Sequence, residues 1–317
     1  MSPEARQRLG NRDRWGAAFL RNNRLPSGAQ KPIHELAPAK VNLTLEVLGK
    51  RPDGFHELSS LVTFADFGDR FSLTPGEAWG LSCSGPMAGA ISGANIVDLA
   101  AKALRQLWPQ ARLGHGELYK VLPVFAGIGG GSADAAAALR ALRRLNAQIP
   151  GSVAIDWAGL ARSLGADVPV CLVSQLSLMQ GIGERIQTLA RRHALPAVLV
   201  NPGVALSTAA VFAELAAAPL LAYDGTSPFR EPATTAQLRQ LILASRNDLE
   251  APAFRLAPVI GEVCAALTAT QGCTLTRMSG SGPTCFGIYD TPTAAAAAAH
   301  QLSRQWPDWW VRATILS

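Results

Sequence analysis

The sequence of 317 residues lacks any long uninterrupted apolar run. A helix that spans a membrane needs about 18 to 20 apolar residues in succession, and the Ala-rich stretch Ala294–Ala299 is far shorter. No short apolar segment follows a basic start, so a secretory signal is not expected either. These absences exclude an integral membrane protein and predict no membrane partner.

Cysteine is also scarce, and no two cysteines form a C-x-x-C pair. Their number is odd, so neither a zinc site nor a disulfide framework is indicated. We expect buried thiols of a reducing compartment, which predicts a cytoplasmic protein without metal-ligating residues. The five are Cys83, Cys171, Cys264, Cys273 and Cys285.

An excess of basic over acidic charge is missing from most of the chain. Residues 1–34 contain seven Lys or Arg against two Asp or Glu, whereas the whole sequence has a net charge of +6. The remainder is therefore almost neutral and offers no basic stripe of the kind that binds nucleic acid. We interpret residues 1–34 as a basic, disordered N-terminal extension, and we expect no nucleic-acid partner. An organellar transit peptide is a weaker alternative, since such peptides avoid acidic residues.

What the sequence does contain is clear periodicity. Apolar and polar residues alternate from Lys40 to Leu48, which predicts a strand with one buried face. Lys40 and Asn42 would lie on the side opposite the core. Turn residues occupy positions 49–54, and the apolar run Leu58–Phe67 predicts a strand that pairs with the first.

Further patterns predict a mixture of helices and strands. Helices are predicted over residues 94–108, from the glycine-rich segment to Asn146, over 155–164, 234–245 and 252–268, and from Pro292 onwards. Strands are predicted over residues 118–124, 170–173 and 196–201. A single core rarely grows beyond about 250 residues. We therefore expect two domains, residues 35–178 and 179–317, of the α+β class.

Residues 127–134 carry the strongest chemical signal. Four of the five positions from Gly127 to Gly131 are glycine, and an Ala-rich helix pattern follows. Glycine lets the backbone approach a ligand closely. The start of a helix offers unpaired N–H groups and the positive end of its dipole. We therefore predict a polyphosphate site, in which Ser132 caps the helix or bonds a phosphate oxygen. An ordinary turn before a capped helix is the alternative.

Well-known phosphate loops do not fit this segment. No lysine follows the glycines, as a Walker A loop requires. Ser132 stands where the Rossmann fingerprint, counted from Gly127, needs glycine or alanine. Protein-kinase signatures are absent as well. The segment is therefore predicted to be a nucleotide loop of another class.

The segment that starts at Pro123, P-V-F-A-G-I-G-G-G-S-A-D-A-A, resembles the ATP-phosphate loop of the GHMP kinases, which include galactokinase, homoserine kinase and mevalonate kinase. Other blocks of the same superfamily follow its order over residues 35–290. They begin at Ala37 (A-P-A-K-V-N-L-T-L), Gly49 (G-K-R-P-D-G-F-H-E-L), Leu164 (L-G-A-D-V-P-V), Gly181 (G-I-G-E), Asn247 (N-D-L-E) and Met278 (M-S-G-S-G-P-T-C-F).

The resemblance implies the two-domain α+β fold of the GHMP kinases. The N-terminal domain would bind ATP and contain a left-handed β-α-β crossover. The C-terminal domain would be ferredoxin-like and help to bind the second substrate. The implied ATP-binding residues are Pro123, Ala126, Gly127, Ile128, Gly129, Gly130, Gly131, Ser132 and Ala133.

The blocks are most similar to the branch whose small-molecule substrate carries a cytidine diphosphate group. The implied reaction uses ATP and Mg²⁺ and transfers the γ-phosphoryl group to the 2-hydroxyl of a methylerythritol unit. It is a step of the non-mevalonate route to isoprenoid precursors. Two alternatives stay open: another GHMP kinase of the homoserine or mevalonate type, and a non-catalytic ligand sensor on the same fold. We expect a monomer or a weak homodimer.

Asp167 matches the superfamily's catalytic aspartate, and Lys40 matches its partner lysine. A carboxylate within reach can accept the proton that the hydroxyl loses during transfer. A lysine beside it can keep the aspartate ionised and favour the developing negative charge. Without the matched blocks, Asp167 would be interpreted as a cap before Pro169, and Lys40 as a solvated strand lysine.

The resemblance also implies a set of substrate-binding residues: Asn42, Phe55, His56, Ile182, Thr208 and Phe212. Phe55 stands where the family often has tyrosine; stacking on a base survives that change, but a hydroxyl contact does not. Ala133 replaces a serine that is common in the loop, so one hydroxyl near the phosphates is missing. Residues 279–282 are predicted to form a tight turn near the phosphates, with a glycine-rich hairpin turn as an equal alternative.

Overall fold

The computed structural model describes residues 31–91, 93–151, 154–215 and 229–317. Most of the predicted disordered extension, residues 1–34, lies outside the described residues. Residues 33–317 form one compact unit, and the predicted division into residues 35–178 and 179–317 stays a prediction. No helix among the described residues has the length and apolarity to cross a membrane.

The described residues contain strands and helices throughout. The strands are β1 (Ile33–Asn42), β2 (Glu46–Lys50), β3 (His56–Gly76), β4 (Gly80–Ser84), β5 (Leu113–Tyr119), β6 (Ser177–Gly181), β7 (Arg185–Thr188), β8 (Leu195–Asn201), β9 (Cys273–Met278), β10 (Cys285–Tyr289) and β11 (Trp310–Leu316). The α-helices are α1 (Ile96–Leu107), α2 (Gly130–Asn146), α3 (Trp157–Leu164), α4 (Val168–Val173), α5 (Thr208–Glu214), α6 (Thr235–Ala244), α7 (Glu250–Leu256), α8 (Val259–Thr268) and α9 (Pro292–Gln305).

The 21-residue strand β3 is the central strand of the sheet, with which most of its neighbours pair. It pairs antiparallel with β1, β2, β5 and β6, and Ala65 in its middle pairs with Leu316 of β11. From β11 the sheet continues through β8, β10 and β9. At the other edge, β4 and β5 are parallel neighbours, and α1 connects them as a β-α-β crossover. The mixed α+β class is confirmed.

Alanine allows α2 to lie close to the sheet. The helix packs on β1 and β3, and its inner face consists of small side chains without exposed surface. These are Ala133, Ala135, Ala136, Ala137, Ala138 and Ala141. Short side chains let the helix and strand backbones approach closely, which fixes where the start of α2 stands relative to β1.

A second core lies on the β8–β11 part of the sheet. Val198, Val263 and Tyr289 belong to one buried cluster there, to which α8 and α9 also contribute. A third cluster contains Val41, on β1, and Leu199, on β8, so apolar packing joins the two parts of the sheet. The glycine-rich segments described below lie beside this junction.

Several predicted helix ends are confirmed, because they depend on local capping chemistry. Thr291 caps α9 by accepting a hydrogen bond from the N–H of Ala294, with Pro292 in the first turn. Asp156 caps α3 in the same way. Helix α2 ends at Asn146 as predicted.

One predicted strand is wrong. Residues 170–173 belong to helix α4, not to a strand. A short run of buried apolar residues has no periodicity that separates helix from strand. Pro169 in the first turn favours the helix, because its fixed φ suits that position.

Three other segments differ from the predicted extents. The helix predicted over 252–268 is divided into α7 and α8, because Ala257 precedes Pro258 and adopts a non-helical conformation (φ −143°, ψ 83°). The strand predicted over 118–124 ends at Tyr119, and the strand predicted from Lys40 to Leu48 is interrupted between β1 and β2.

The Asn146 side chain gives a test of this packing. It is fully buried and bonds both the N–H and the carbonyl of Arg112, at 2.7 and 2.9 Å. Asn146→Ala removes both hydrogen bonds, so we expect the free energy of unfolding to fall by about 1–3 kcal/mol. Chemical denaturation would measure it, with the exposed Gln148→Ala as the matched control. Equal stability of the two variants would contradict this account.

Candidate active site

Helix α2 begins in a loop that leaves its first turn without a side-chain cap. Its N-cap residue, Gly129, has a left-handed backbone (φ 63°) and makes no side-chain capping bond, and the first turn contains no acidic residue. The N–H groups at the start of this 17-residue helix can therefore bind an anion. The alternative interpretation, an ordinary side-chain-capped helix, is wrong for this segment.

The glycines of this loop are also required by packing. Gly127 has φ 70°, and a Cβ atom on it would lie only 2.3 Å from the carbonyl oxygen of Gly282. A Cβ atom on Gly280 would lie 3.2 Å from Oδ1 of Asn42. The two glycine-rich segments, residues 127–131 and 279–282, therefore meet backbone to backbone. This places the 279–282 turn next to the segment that we call the phosphate loop, residues 121–131.

Hydrogen bonds hold the phosphate loop on two sides. On one side, the N–H of Lys40 donates to the carbonyl of Ile128 at 2.9 Å. On the other side, the N–H of Thr284 donates to the carbonyl of Ala126 at 3.3 Å. Ser279 closes the arrangement, because its hydroxyl donates to the carbonyl of Gly127 at 3.3 Å. The loop is therefore clamped between β1 and the segment that precedes β10.

A buried group of three charges anchors both ends of the loop. Nζ of Lys120 lies 2.5 Å from Oδ2 of Asp69 and 2.6 Å from Oδ2 of Asp134. Oδ1 of Asp69 accepts the N–H groups of Val121 and Leu122. Asp134 belongs to α2, whereas Lys120 precedes the loop. The cluster therefore ties the chain entering the loop to the helix leaving it.

Two carboxylates share one ammonium group in this cluster, and the pKa values of Asp134 and Lys120 reflect that. Burial, and then the charge of Asp69, raises the pKa of Asp134 well above its ordinary value. Burial lowers the pKa of Lys120, but the charges of Asp134 and Asp69 outweigh burial and raise it. Oδ1 of Asp134 is buried and has no hydrogen-bond partner among the described residues. The cluster therefore favours a charged Lys120.

The predicted catalytic residues are brought together. Nζ of Lys40 and Oδ2 of Asp167 form an ion pair at 2.8 Å. Asp167 is the N-cap residue of α4, but its side chain makes no capping bond. Its carboxylate is therefore directed to Lys40, and the side chain remains 37% exposed. The interpretation of Asp167 as a mere cap is wrong.

Lys40 also lies against the phosphate loop. Its Cβ and Cε atoms would be 3.2 and 3.3 Å from a Cβ atom on Gly129, so its stem runs along the loop backbone. The interpretation of Lys40 as a solvated strand lysine is wrong, since its side chain is buried, and Asn42 on the same strand is buried too: they are only 4% and 6% exposed. The loop and residues 279–282 cover that side of β1. The ion pair thus stands at the start of α2.

Three of the predicted substrate residues, His56, Thr208 and Phe212, make contacts with other side chains of the site. His56, at the start of β3, stacks on Phe212 of α5, with ring centroids 5.0 Å apart. Thr208 bonds Ser281 through their hydroxyl groups at 2.7 Å, which ties α5 to the turn beside the loop. Burial, and then the charge of Lys50, lowers the pKa of His56. The imidazole is therefore biased towards its neutral form, which can both donate and accept a hydrogen bond.

The remaining three substrate residues have different surroundings. Phe55 and Ile182 are 58% and 37% exposed, so both offer apolar surface to a ligand. Asn42 is buried, and its amide nitrogen donates to the hydroxyl of Ser60 at 2.7 Å. Its backbone N–H is bonded to Ser279. The structure therefore gives Asn42 a role in holding the site together, and its contact with substrate stays a prediction.

Several supporting residues were not singled out from the sequence. The amide nitrogen of Asn247 donates to the carbonyls of Met278 and Gly280, both at 2.8 Å, and so fixes the turn beside the phosphate loop. Lys120, Asp69 and Asp134 were missed as well. The positions of Lys120 and Asp134 on either side of the glycine loop could have indicated an ion pair. Asp69 is distant in the sequence, so no local pattern indicated its part in the cluster.

Comparisons with known proteins agree with this arrangement. Residues 89–175 match the family model for the GHMP kinases N terminal domain, and residues 232–308 match the model for GHMP kinases C terminal. The 4-diphosphocytidyl-2-C-methyl-D-erythritol kinase of Parvibaculum lavamentivorans is 50% identical over 282 residues, which cover 88% of this chain and 97% of that relative.

Solved structures show the same relation. A crystal structure of 4-(cytidine 5'-diphospho)-2C-methyl-D-erythritol kinase is 35% identical with a TM-score of 0.71, and the match covers 90% of this chain and 99% of that one. Homoserine kinase from Cytophaga hutchinsonii shares only the fold, at 18% identity and a TM-score of 0.63, over 92% of this chain and 97% of its own. The chain belongs to the GHMP kinases, and within them to the family of the 4-diphosphocytidyl-2-C-methyl-D-erythritol kinases.

Proposed function

We propose that the protein transfers the γ-phosphoryl group of ATP to the 2-hydroxyl of 4-diphosphocytidyl-2-C-methyl-D-erythritol. The product is the 2-phosphate, an intermediate of the non-mevalonate pathway of isoprenoid precursor synthesis. The observation that carries the proposal is the Lys40–Asp167 ion pair, 2.8 Å long, beside the uncapped start of α2. A cytoplasmic location is proposed because all five cysteines are free thiols.

The phosphate loop would bind the triphosphate of ATP. Free N–H groups and the dipole at the start of α2 both favour negative charge. The loop is held by its own backbone bonds to β1 and to the segment before β10, so little rearrangement is needed when the phosphates bind. Positioning and charge stabilisation provide most of the catalysis in phosphoryl transfer.

Asp167 would accept the proton of the acceptor hydroxyl. Its carboxylate is partly exposed and can reach a ligand, whereas its partner Lys40 is buried. The ammonium group of Lys40 would orient the carboxylate and stabilise the charge that develops on the attacking oxygen. Because Lys40 also lies along Gly129, the pair is aligned with the bound γ-phosphate.

Mg²⁺ is the implied metal, and the donor groups fit a nucleotide-bound ion. No group of three or more His, Cys, Asp or Glu suited to a metal exists among the described residues. Mg²⁺ in kinases is held by one or two carboxylates together with substrate phosphates and water. Ser132, in the first turn of α2, is the side-chain oxygen donor that would complete such a site. A bound Mg²⁺ neutralises charge on the phosphates.

The acceptor would bind against the aromatic pair His56 and Phe212, with Phe55, Ile182 and Thr208 around it. A planar cytosine fits an aromatic surface, and the neutral imidazole can hydrogen-bond its edge. The hydrogen bond from Thr208 to Ser281 links this side to the turn beside the phosphate loop. The acceptor and the donor phosphates would therefore meet near Asp167.

The first test addresses Asp167. Asp167→Asn removes the proton acceptor while retaining size, so we expect kcat to fall by about a hundredfold or more. Affinity for ATP, measured by isothermal titration calorimetry, should change little, because the loop binds the phosphates. The exposed Asp308→Asn is the matched control. Turnover of Asp167→Asn equal to that of this control would sink the catalytic assignment.

The second test addresses the acceptor. ADP release would be compared for 4-diphosphocytidyl-2-C-methyl-D-erythritol, homoserine, mevalonate and galactose, and we expect turnover with the first alone. Phe212→Ala should raise the KM for that substrate about tenfold, since an aromatic contact is lost, and leave the KM for ATP unchanged. Leu243→Ala, an exposed apolar control, should change neither. Turnover with another alcohol would contradict the proposed substrate. The absence of ADP release with all four compounds would favour a ligand sensor.

A further inference from the structure

Phe125 combines two properties that rarely occur together. Its side chain is 71% exposed, more than any other large hydrophobic residue among those described. Its backbone is left-handed, with φ 55°. A bulky side chain in this region is a genuine outlier, because its Cβ atom crowds the backbone. The residue therefore has an unfavourable backbone and no burial that offsets it.

Elsewhere in the site, the residues with a left-handed backbone conformation are glycines. Gly127 and Gly129 in the phosphate loop, and Gly280 and Gly282 in the facing turn, all have φ between 57° and 78°. Glycine adopts such angles without steric cost. A phenylalanine in their midst indicates a contribution from its ring that the protein by itself does not reveal.

The position of Phe125 is fixed on both sides. Leu122 is buried and its N–H is bonded to Asp69. Ala126 is 4% exposed and its carbonyl accepts a hydrogen bond from Thr284. The ring is therefore carried by a segment with rigid ends, two residues before Gly127. It lies on the rim of the site that we propose for ATP.

The chemistry of the ring selects its partner. Phosphate oxygens do not gain from contact with an aromatic face, which carries partial negative charge, whereas a nucleobase and a ribose do. The free N–H groups of α2 attract the phosphates of the nucleotide, so the nucleoside is the part of the same molecule that is left for an apolar rim. The other aromatic surface, His56 with Phe212, lies on a different segment and suits the acceptor.

We propose that Phe125 binds the nucleoside end of the donor nucleotide and that its left-handed backbone is retained for this contact. The proposal rests on the proposed function, since it requires ATP at this loop. It makes Phe125 a determinant of nucleotide affinity and not of phosphate binding.

Two probes separate these contributions: ADP, which has a nucleoside, and inorganic tripolyphosphate, which has none. For Phe125→Gly we expect ADP affinity, measured by isothermal titration calorimetry, to fall about tenfold, as for the loss of one aromatic stack. Tripolyphosphate affinity should stay within about twofold of the unchanged protein. Phe125→Trp should restore ADP affinity, because it replaces one aromatic face by another. Leu243→Ala is the control for an exposed apolar residue outside the site.

Thermal unfolding provides an independent measurement. Because glycine relieves the backbone strain, Phe125→Gly should raise the melting temperature of the ligand-free protein by about 2 °C. A melting temperature that falls by more than the few degrees expected from the greater freedom of glycine in the unfolded chain would mean that the ring stabilises the protein itself, and it would overturn the proposal.

The other outcomes are equally decisive. Unchanged ADP affinity in Phe125→Gly would overturn this inference alone. An equal loss of affinity for ADP and tripolyphosphate would mean that Phe125 maintains the conformation of the loop, which contradicts the proposal. A change confined to the KM of the acceptor would mean that Phe125 contacts the cytosine instead. Failure of the unchanged protein to bind ADP would instead overturn the proposed function, and this inference with it.

Discussion

One buried ammonium group holds the phosphate loop at both ends. Lys120 joins Asp69 of β3 to Asp134 of α2, and Asp69 also accepts the two N–H groups with which the loop begins. Removing Lys120 would leave two carboxyl groups in a buried site without a countercharge, which is strongly destabilising. The start of α2 is therefore fixed on the sheet by charge as well as by alanine packing. The remainder of the active site is arranged around that fixed point.

The Lys40–Asp167 ion pair depends on the same cluster. Lys40 reaches the loop through β1, whose backbone bonds Ile128, and Asp167 reaches it through α4, which packs on α2. Both residues are carried by regular elements, so their separation is set by packing and not by a mobile loop. The turn at residues 279–282 adds a third side, fixed by Asn247. Preorganisation of this kind suits phosphoryl transfer, where most of the catalytic effect comes from positioning.

The sequence predicted those features that depend on local chemistry. The glycine loop, the end of α2 at Asn146 and the cap at Thr291 all follow from a few adjacent residues. The strand predicted at residues 170–173 was wrong because four buried apolar residues have no periodicity. The burial of Lys40 was not predictable, since Ile128 and Gly129, far away in the chain, lie against it. Asp69 was missed for the same reason, because its partner Lys120 lies 51 positions later.

Ala133 stands where the related loops commonly have serine, and its burial explains why the alanine is tolerated. From the sequence alone, alanine in place of serine removes a hydroxyl near the phosphates. In the structure, Ala133 has no exposed surface and belongs to the core beneath α2, whereas Ser132 is partly exposed in the first turn. A hydroxyl at position 133 would need a buried partner, since an unsatisfied one costs about 1–3 kcal/mol. Alanine avoids that cost, and Ser132 still provides a partly exposed hydroxyl in the first turn of the helix.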